Sequence, residues 1–460
     1  MSVVRQSDER WRQSPAASVQ PPLPLKGLPT VLRFVLAFVA LAVTGAGFPA
    51  FGRDLALSEA EQLVARGNRD VLAARRQAEA AGAGILQADV RPNPVVSYNA
   101  TGIGNNPGIG AGSFGAKRID NTFRIDQVLE RGNKRELRVD AARNLERAAQ
   151  GDAAEILRQQ LLLARNAYAD LQQAQGKFEI LTGMAELFSR TYSAAQARLK
   201  AGDLAAADVA RVQVDFERAQ NDLRVSQAEL ARAQFALAYL VADEAAAPAL
   251  RASDLWPAVS APGPGQAQRT TAEYIAQYVE SRPDVLAARA RIEATEKLRE
   301  LARSQRTRDV SVGAQFERYP GTLPANSIGF GVSFPLLVGN DYSGDIQRAE
   351  VDRYAALDAL EKVRAVATTE VSRAASDLRA AAERRARYEG SLLAAAQRSA
   401  EAAEFAFQRG ATSVLEVLDA RRTLRAVQLE ALAARTEHAK AVHAWHASLQ
   451  GADPASPKPN

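Results

Sequence analysis

Three features of this 460-residue sequence predict a mainly α protein with a small β part, built from two copies of one unit. The first is a repeat: Asp70-Val71-Leu72-Ala73-Ala74-Arg75 returns unchanged as Asp284-Val285-Leu286-Ala287-Ala288-Arg289, 214 residues later. Val96-Ser97 aligns with Val310-Ser311 at the same offset, Gly132-Asn133 with Gly339-Asn340 at 207, and Gly202 and Val209 with Gly410 and Val417 at 208. Order kept over so long a stretch points to a duplicated fold. The second feature is a pair of Pro-free stretches, about 135–245 and 345–450, rich in Ala, Leu, Glu, Arg and Gln, which read as very long helices. The third is a change of hydrophobic period from helical to two just ahead of each long helix.

Residues 1–52 read as an export signal. An uncharged apolar run from Phe34 to Val43 follows Arg33 and precedes Gly45, Gly47, Ala50 and Gly52, so cleavage is expected near Ala50 to Gly52. A retained transmembrane helix over Phe34 to Gly52 is the alternative. The sequence has no Cys, which removes disulfides and a Cys-linked lipid anchor and suits an oxidising compartment.

The first repeat spans 53–247 and the second 269–450, each in the order helix, helix, strand, strand, helix, helix. Ser58-Glu59-Ala60-Glu61 and Thr270-Thr271-Ala272-Glu273 both fit the capping box that starts a helix. A second short helix carries the shared Asp-Val-Leu-Ala-Ala-Arg. Strands follow. Val310, Val312, Ala314 and Phe316 alternate with Ser311, Gly313, Gln315 and Glu317; after a turn rich in Pro and Gly, Ile328, Phe330, Val332 and Phe334 alternate with Ser327, Gly329, Gly331 and Ser333. The first repeat shows Val96 and Tyr98 against Ser97 and Asn99, then Phe123 and Ile125 against Arg124 and Asp126.

The long helices carry heptads. Val209, Phe216, Leu223, Leu230 and Leu237 are spaced by seven, with Val212, Ala219, Ser226, Ala233 and Leu240 as the companion seam. Val417, Leu424, Ala431, His438 and Trp445 repeat the pattern, which predicts coiled-coil packing of hairpins that turn back at Gly202 and Gly410. The stretch at 248–268, with four Pro between Pro248 and Pro264, reads as an irregular connection, and 451–460 as a disordered tail.

Charge excludes one function class. Net charge is +5, but residues 1–53 hold six basic groups and two acidic ones, leaving 52 basic against 51 acidic in the rest. No basic patch for nucleic acid is implied. The Gly-rich run from Gly102 to Gly115 lacks a following Gly-Lys-Ser/Thr and reads as a loop between strands, not a phosphate cradle. No catalytic constellation is found, so neither an enzyme nor a cofactor is expected.

One chain is expected to supply four strands, and an open four-stranded sheet cannot sit in lipid, because its edges leave unpaired N–H and C=O groups. Closure needs several chains: two give a filled eight-stranded barrel, three a twelve-stranded one with an open lumen.

The element order, the duplication and the turn sequences resemble the TolC-type outer-membrane efflux proteins over essentially the whole chain after residue 54. Leu129-Glu130-Arg131-Gly132-Asn133-Lys134-Arg135 with Arg138, and Phe334-Pro335-Leu336-Leu337-Val338-Gly339-Asn340 with Gly344, Ile346, Ala349 and Glu350, resemble the cobalt/zinc/cadmium branch. The resemblance implies a homotrimer in the outer membrane of a Gram-negative bacterium. Its twelve-stranded β-barrel would sit in outer-membrane lipid and its α-barrel tunnel in the periplasm, docked to a periplasmic adaptor and an inner-membrane, proton-driven RND-type pump. By the same match, Asp208, Glu416 and Asp419 fall where family members place an acidic ring at the periplasmic aperture. Gly202, Asp203, Gly410, Ala411 and Thr412 fall at the turns that dock the adaptor. Thr412 departs from the pattern: TolC itself has there an Arg that helps latch the closed state. A solvated coiled-coil face is the alternative for the acids. For a metal exporter, His443 and His446, three apart on one helix, are a conceivable ligand pair, against the expectation that an exit duct holds no tight metal site. Rival functions are the same duct serving organic drugs or secreted polypeptides, a periplasmic coiled-coil adaptor, and a cytoplasmic coiled coil.

Overall fold

A computed structural model of the chain describes residues 53–103, 119–258, 272–319 and 325–449. The signal at 1–52, most of the Gly-rich run, Thr270 and Thr271, the Pro- and Gly-rich turn at 320–324, the connection from 259 on and the tail lie outside the described residues.

The first repeat runs β1 (Arg53–Leu55), α1 (Leu57–Gly67), α2 (Arg69–Asp89), β2 (Val95–Thr101), β3 (Asp120–Leu129), α3 (Lys134–Ala201) and α4 (Ala206–Val241). After β4 (Leu250–Ala252), the second runs α5 (Ala272–Ser281), α6 (Pro283–Ser304), β5 (Val310–Tyr319), β6 (Ala325–Ser333), α7 (Ser343–Arg387), α8 (Leu393–Gln408) and α9 (Val414–Ser448). Both halves thus carry two short helices, two strands and then the long helices in the same order.

Several details differ. Helix α1 starts one residue before Ser58, so Ser58 does not cap it; the Leu57 N–H donates instead to Asp254 Oδ2 at 2.6 Å. The cap is borrowed from a residue distant in sequence, which no local motif can signal. Asn68 does cap α2, its side chain accepting from the Asp70 and Val71 N–H groups. In the second repeat Pro283 opens α6, its missing N–H costing nothing at a first turn.

The connection is not wholly irregular: a 3₁₀ turn at Glu244–Ala249 leads into β4, which pairs in parallel with β1, Arg53 opposite Leu250. The chain therefore has six strands among its described residues, not four. Tyr168 of α3 fixes this pair. Its hydroxyl donates to Leu55 O at 2.9 Å and accepts from the Ser253 and Asp254 N–H groups at 3.1 and 3.0 Å; burial pushes its pKa up and keeps the proton in place.

Helix α3 is 68 residues long, about 100 Å at 1.5 Å per residue. Its counterpart is interrupted, because between α7 and α8 a π-helical turn covers Tyr388–Leu392. Each repeat has its own core at the same place in the unit: Leu55, Val64, Tyr168, Leu171, Leu237 and Val241 in the first, Val279, Val285, Val371 and Trp445 in the second. The predicted seam faces inward. Val209, Val212, Ala219 and Leu237 are buried, and Ser226, fully buried, satisfies its hydroxyl on Leu223 O.

Candidate functional site: a two-faced sheet and paired hairpin tips

Strands pair antiparallel in the order β2-β3-β5-β6. The register sets Val96 opposite Ile125, Tyr98 opposite Phe123, Phe123 opposite Phe316, Phe316 opposite Ile328 and Val312 opposite Val332. Because side chains alternate with period two, this register gathers the apolar sets of all four strands on one face. That face is bare: Phe330 is 85% exposed, Ile328 73% and Val96 72%. Strands β2 and β6 form open edges.

The opposite face is polar and covered by its own side chains. Arg124 donates from Nε and Nη2 to the two oxygens of Asp126 at 2.6 and 2.8 Å and from Nη1 to Gln315 Oε1 at 3.2 Å. Gln315 Nε2 donates to Glu317 at 2.8 Å, whose second oxygen accepts from the hydroxyls of Tyr319 and Ser327.

Far from the sheet in sequence, both hairpins turn at glycines in the left-handed region, Gly202 at φ 84° and Gly410 at φ 74°. Each turn closes by the same pair of bonds: Gly202 N–H to Leu199 O with Asp203 N–H to Arg198 O, and Gly410 N–H to Phe407 O with Ala411 N–H to Ala406 O. Ser413 caps α9, accepting from the Glu416 N–H at 3.4 Å. Asp208, at the start of α4, lies 3.5 Å from Arg211; Glu416 and Asp419 are exposed and form no ion pair among the described residues. The two helix starts meet, since Leu418 packs in one cluster with Val209 and Val212, and Arg198 lies over the Phe407 ring at 5.1 Å. Thr412 Oγ1 is buried without a hydrogen-bond partner among the described residues.

Sequence reading missed how the hairpins are tied. Arg422 Nη2 reaches both oxygens of buried Asp215 at 2.7 Å, and Arg425 reaches Asp222 at 2.9 Å. The heptad spacing of Asp215 and Asp222 is the only signal that could have pointed to these pairs.

The three His residues are held apart in role. His438 is buried on the seam, its Nδ1 3.2 Å from Arg385 Nη1; burial and then Arg385 hold its pKa below the ordinary value. Arg385 also bonds Glu389 in the π turn, which Arg435 holds from α9. His443 is 8% exposed and its Nδ1 has no hydrogen-bond partner among the described residues; burial, then Arg165 and His446, bring its pKa down to about 4. His446 is exposed. No group of three or more His, Cys, Asp or Glu suited to a metal ion occurs among the described residues.

A family model described as outer membrane efflux protein matches residues 274–449, the second repeat. The chain is similar to the cobalt-zinc-cadmium resistance protein CzcC of Cupriavidus metallidurans, at 26% identity over 84% of this chain and 89% of that one. It is similar to Protein CyaE of Bordetella pertussis, at 30% identity over 69% of this chain and 67% of the other. Among solved structures, the outer membrane protein VceC from Vibrio cholerae superposes with a TM-score of 0.69 at 18% identity, covering 86% of this chain and 96% of VceC.

Proposed function

This chain belongs to the outer membrane efflux protein family, and on that premise we propose that three copies close their sheets into one twelve-stranded barrel in the outer membrane. The observation that carries the reading is the bare apolar face on a sheet with two open edges. A single sheet of this kind has no stable place in lipid or in water, whereas three joined edge to edge satisfy every ladder bond. Twelve strands enclose a water-filled lumen. The helical hairpins of three chains then continue that lumen as a periplasmic tunnel.

The channel carries out no chemistry on its cargo. Its part is a water-filled route, with a periplasmic adaptor meeting the turns at Gly202, Asp203, Gly410, Ala411 and Thr412 and a proton-driven RND-type pump upstream supplying direction and choice. Asp208, Glu416 and Asp419, repeated three times around an axis at the hairpin tips, form an acidic ring that attracts cations. Divalent heavy-metal cations are the proposed cargo, supported by the likeness to a cobalt-zinc-cadmium resistance protein.

Native mass spectrometry of the detergent-extracted protein tests closure, with a trimer expected. Phe330→Arg should abolish assembly in the outer membrane, because a charge at mid-membrane on the lipid face costs about 2–4 kcal/mol per chain. A stable monomer, or normal assembly of Phe330→Arg, would overturn the barrel.

A further inference from the structure

The polar ladder lies along the sheet because glycines leave it a lane. Gly313 sits opposite Asp126 in the register, and a Cβ there would come within 2.2 Å of Asp126 Oδ1. A Cβ at Gly331 would meet Arg124 Nη2 at 3.4 Å, and one at Gly329 would meet Gln315 Cγ at 3.0 Å. Any side chain at Gly313 thus takes the space of the carboxylate that holds Arg124 down.

The described charges on this face are Asp120, Asp126 and Glu317 against one cation, Arg124. Arg124 is engaged by Asp126, while Asp120 and Glu317 have no cationic partner among the described residues. Among the described residues Glu317 is fixed by neutral donors alone, Gln315, Tyr319 and Ser327, which orient its charge without cancelling it.

We propose that Arg124, pinned flat over the glycine lane, is a specificity-determining residue of the barrel, and that pinning its cation against the wall preserves the preference of the lumen for cations over anions that its carboxylates set. The inference rests on the barrel reading above and deepens it. A guanidinium held against the wall neutralises its neighbour. The same group released into the lumen would stand nearer the axis in three copies, and within a Debye length of about 8 Å it would repel passing cations directly. Asp120 and Glu317, without a cationic partner among the described residues, then set the sign of the field in the lumen. This selection acts in the sheet, apart from the acids at the hairpin tips.

Reversal potentials in planar bilayers under a salt gradient test it, using the full-length protein with Asp208→Asn, Glu416→Gln and Asp419→Asn so that the tip acids do not set the result. Gly313→Ala should release Arg124 and lower the cation-to-anion permeability ratio about twofold or more. Adding Arg124→Gln to Gly313→Ala should restore the ratio to the starting value or above. If Gly313→Ala fails to insert, Arg124→Gln alone must raise the ratio and Glu317→Gln must lower it, since neither disturbs the backbone. Equal ratios across these variants overturn the proposal. A ratio that follows Phe330→Glu on the opposite face, with no response to Arg124 or Glu317, would show the sheet facing the other way and would overturn the barrel reading itself.

Discussion

At the scale of single residues, the buried ionisable groups divide by whether a partner comes with them. Arg282 is nearly fully buried; desolvation works against its charge, yet hydrogen bonds to Asp284 and Glu370 outweigh it and raise its pKa. Glu389 is likewise kept ionised against burial by Arg435 and Arg385. His443 has no such partner among the described residues, and the fold favours its neutral form. A His whose folded pKa lies below its unfolded value contributes stability above the unfolded pKa, and that contribution is lost as pH falls toward the folded one. The protein should therefore lose up to about 3 kcal/mol per chain between roughly pH 6.5 and pH 4 from this site alone. Melting temperatures across that range should fall less steeply for His443→Leu, which cannot be protonated, than for the parent. Parallel pH profiles would remove His443 from the account.

At the scale of elements, two glycines in the second hairpin should respond in opposite directions. Gly410 turns the chain at φ 74°, so Gly410→Ala should cost about 1–2 kcal/mol. Gly390 sits in the π turn with nothing within 4 Å of a Cβ and no positive φ, so Gly390→Ala should stabilise by about 0.5–1 kcal/mol. Denaturant midpoints of the detergent-solubilised protein would read both. The contrast also marks what was legible in the sequence. The turn glycines stand at the ends of heptads 208 residues apart, and a repeat makes them visible. The π turn leaves no mark, because it arises where Arg385, Glu389, Arg435 and His438 from two helices settle one another's bonds. The strand faces were readable because a period of two is local. The Asp215–Arg422 tie and the borrowed cap at Leu57 were not, since each joins residues about 200 positions apart.

At the scale of the whole molecule, the proposed duct divides its labour among three parts: the apolar sheet face would seat it in lipid, the polar lane would line its exit, and the hairpin tips would meet its partners. Under the metal reading, deleting the gene should sensitise cells to zinc, cobalt or cadmium. The double variant His443→Ala, His446→Ala should leave resistance nearly intact, because choice of cargo lies upstream of a water-filled passage. Growth assays on metal gradients would decide both points, and lost resistance in the double variant would assign those His residues a role in transport. Dye and detergent sensitivity without a metal phenotype would instead favour an organic cargo.

The pairing of β1 with β4 bears on how the chain reaches its native state. Arg53 to Leu55 cannot find their strand partner until Leu250 to Ala252 exist, and the Tyr168 hydroxyl that joins them needs the backbone of Ser253 and Asp254. In a polypeptide delivered amino end first, the earliest part of the first repeat therefore waits almost 200 residues for closure, with an unpaired edge all the while. Contacts of such separation slow folding and leave strands open to wrong partners. The first repeat becomes a finished unit only when its far boundary has been delivered, and a chain halted shortly before residue 250 would present a loose amino end to whatever binds extended segments in transit.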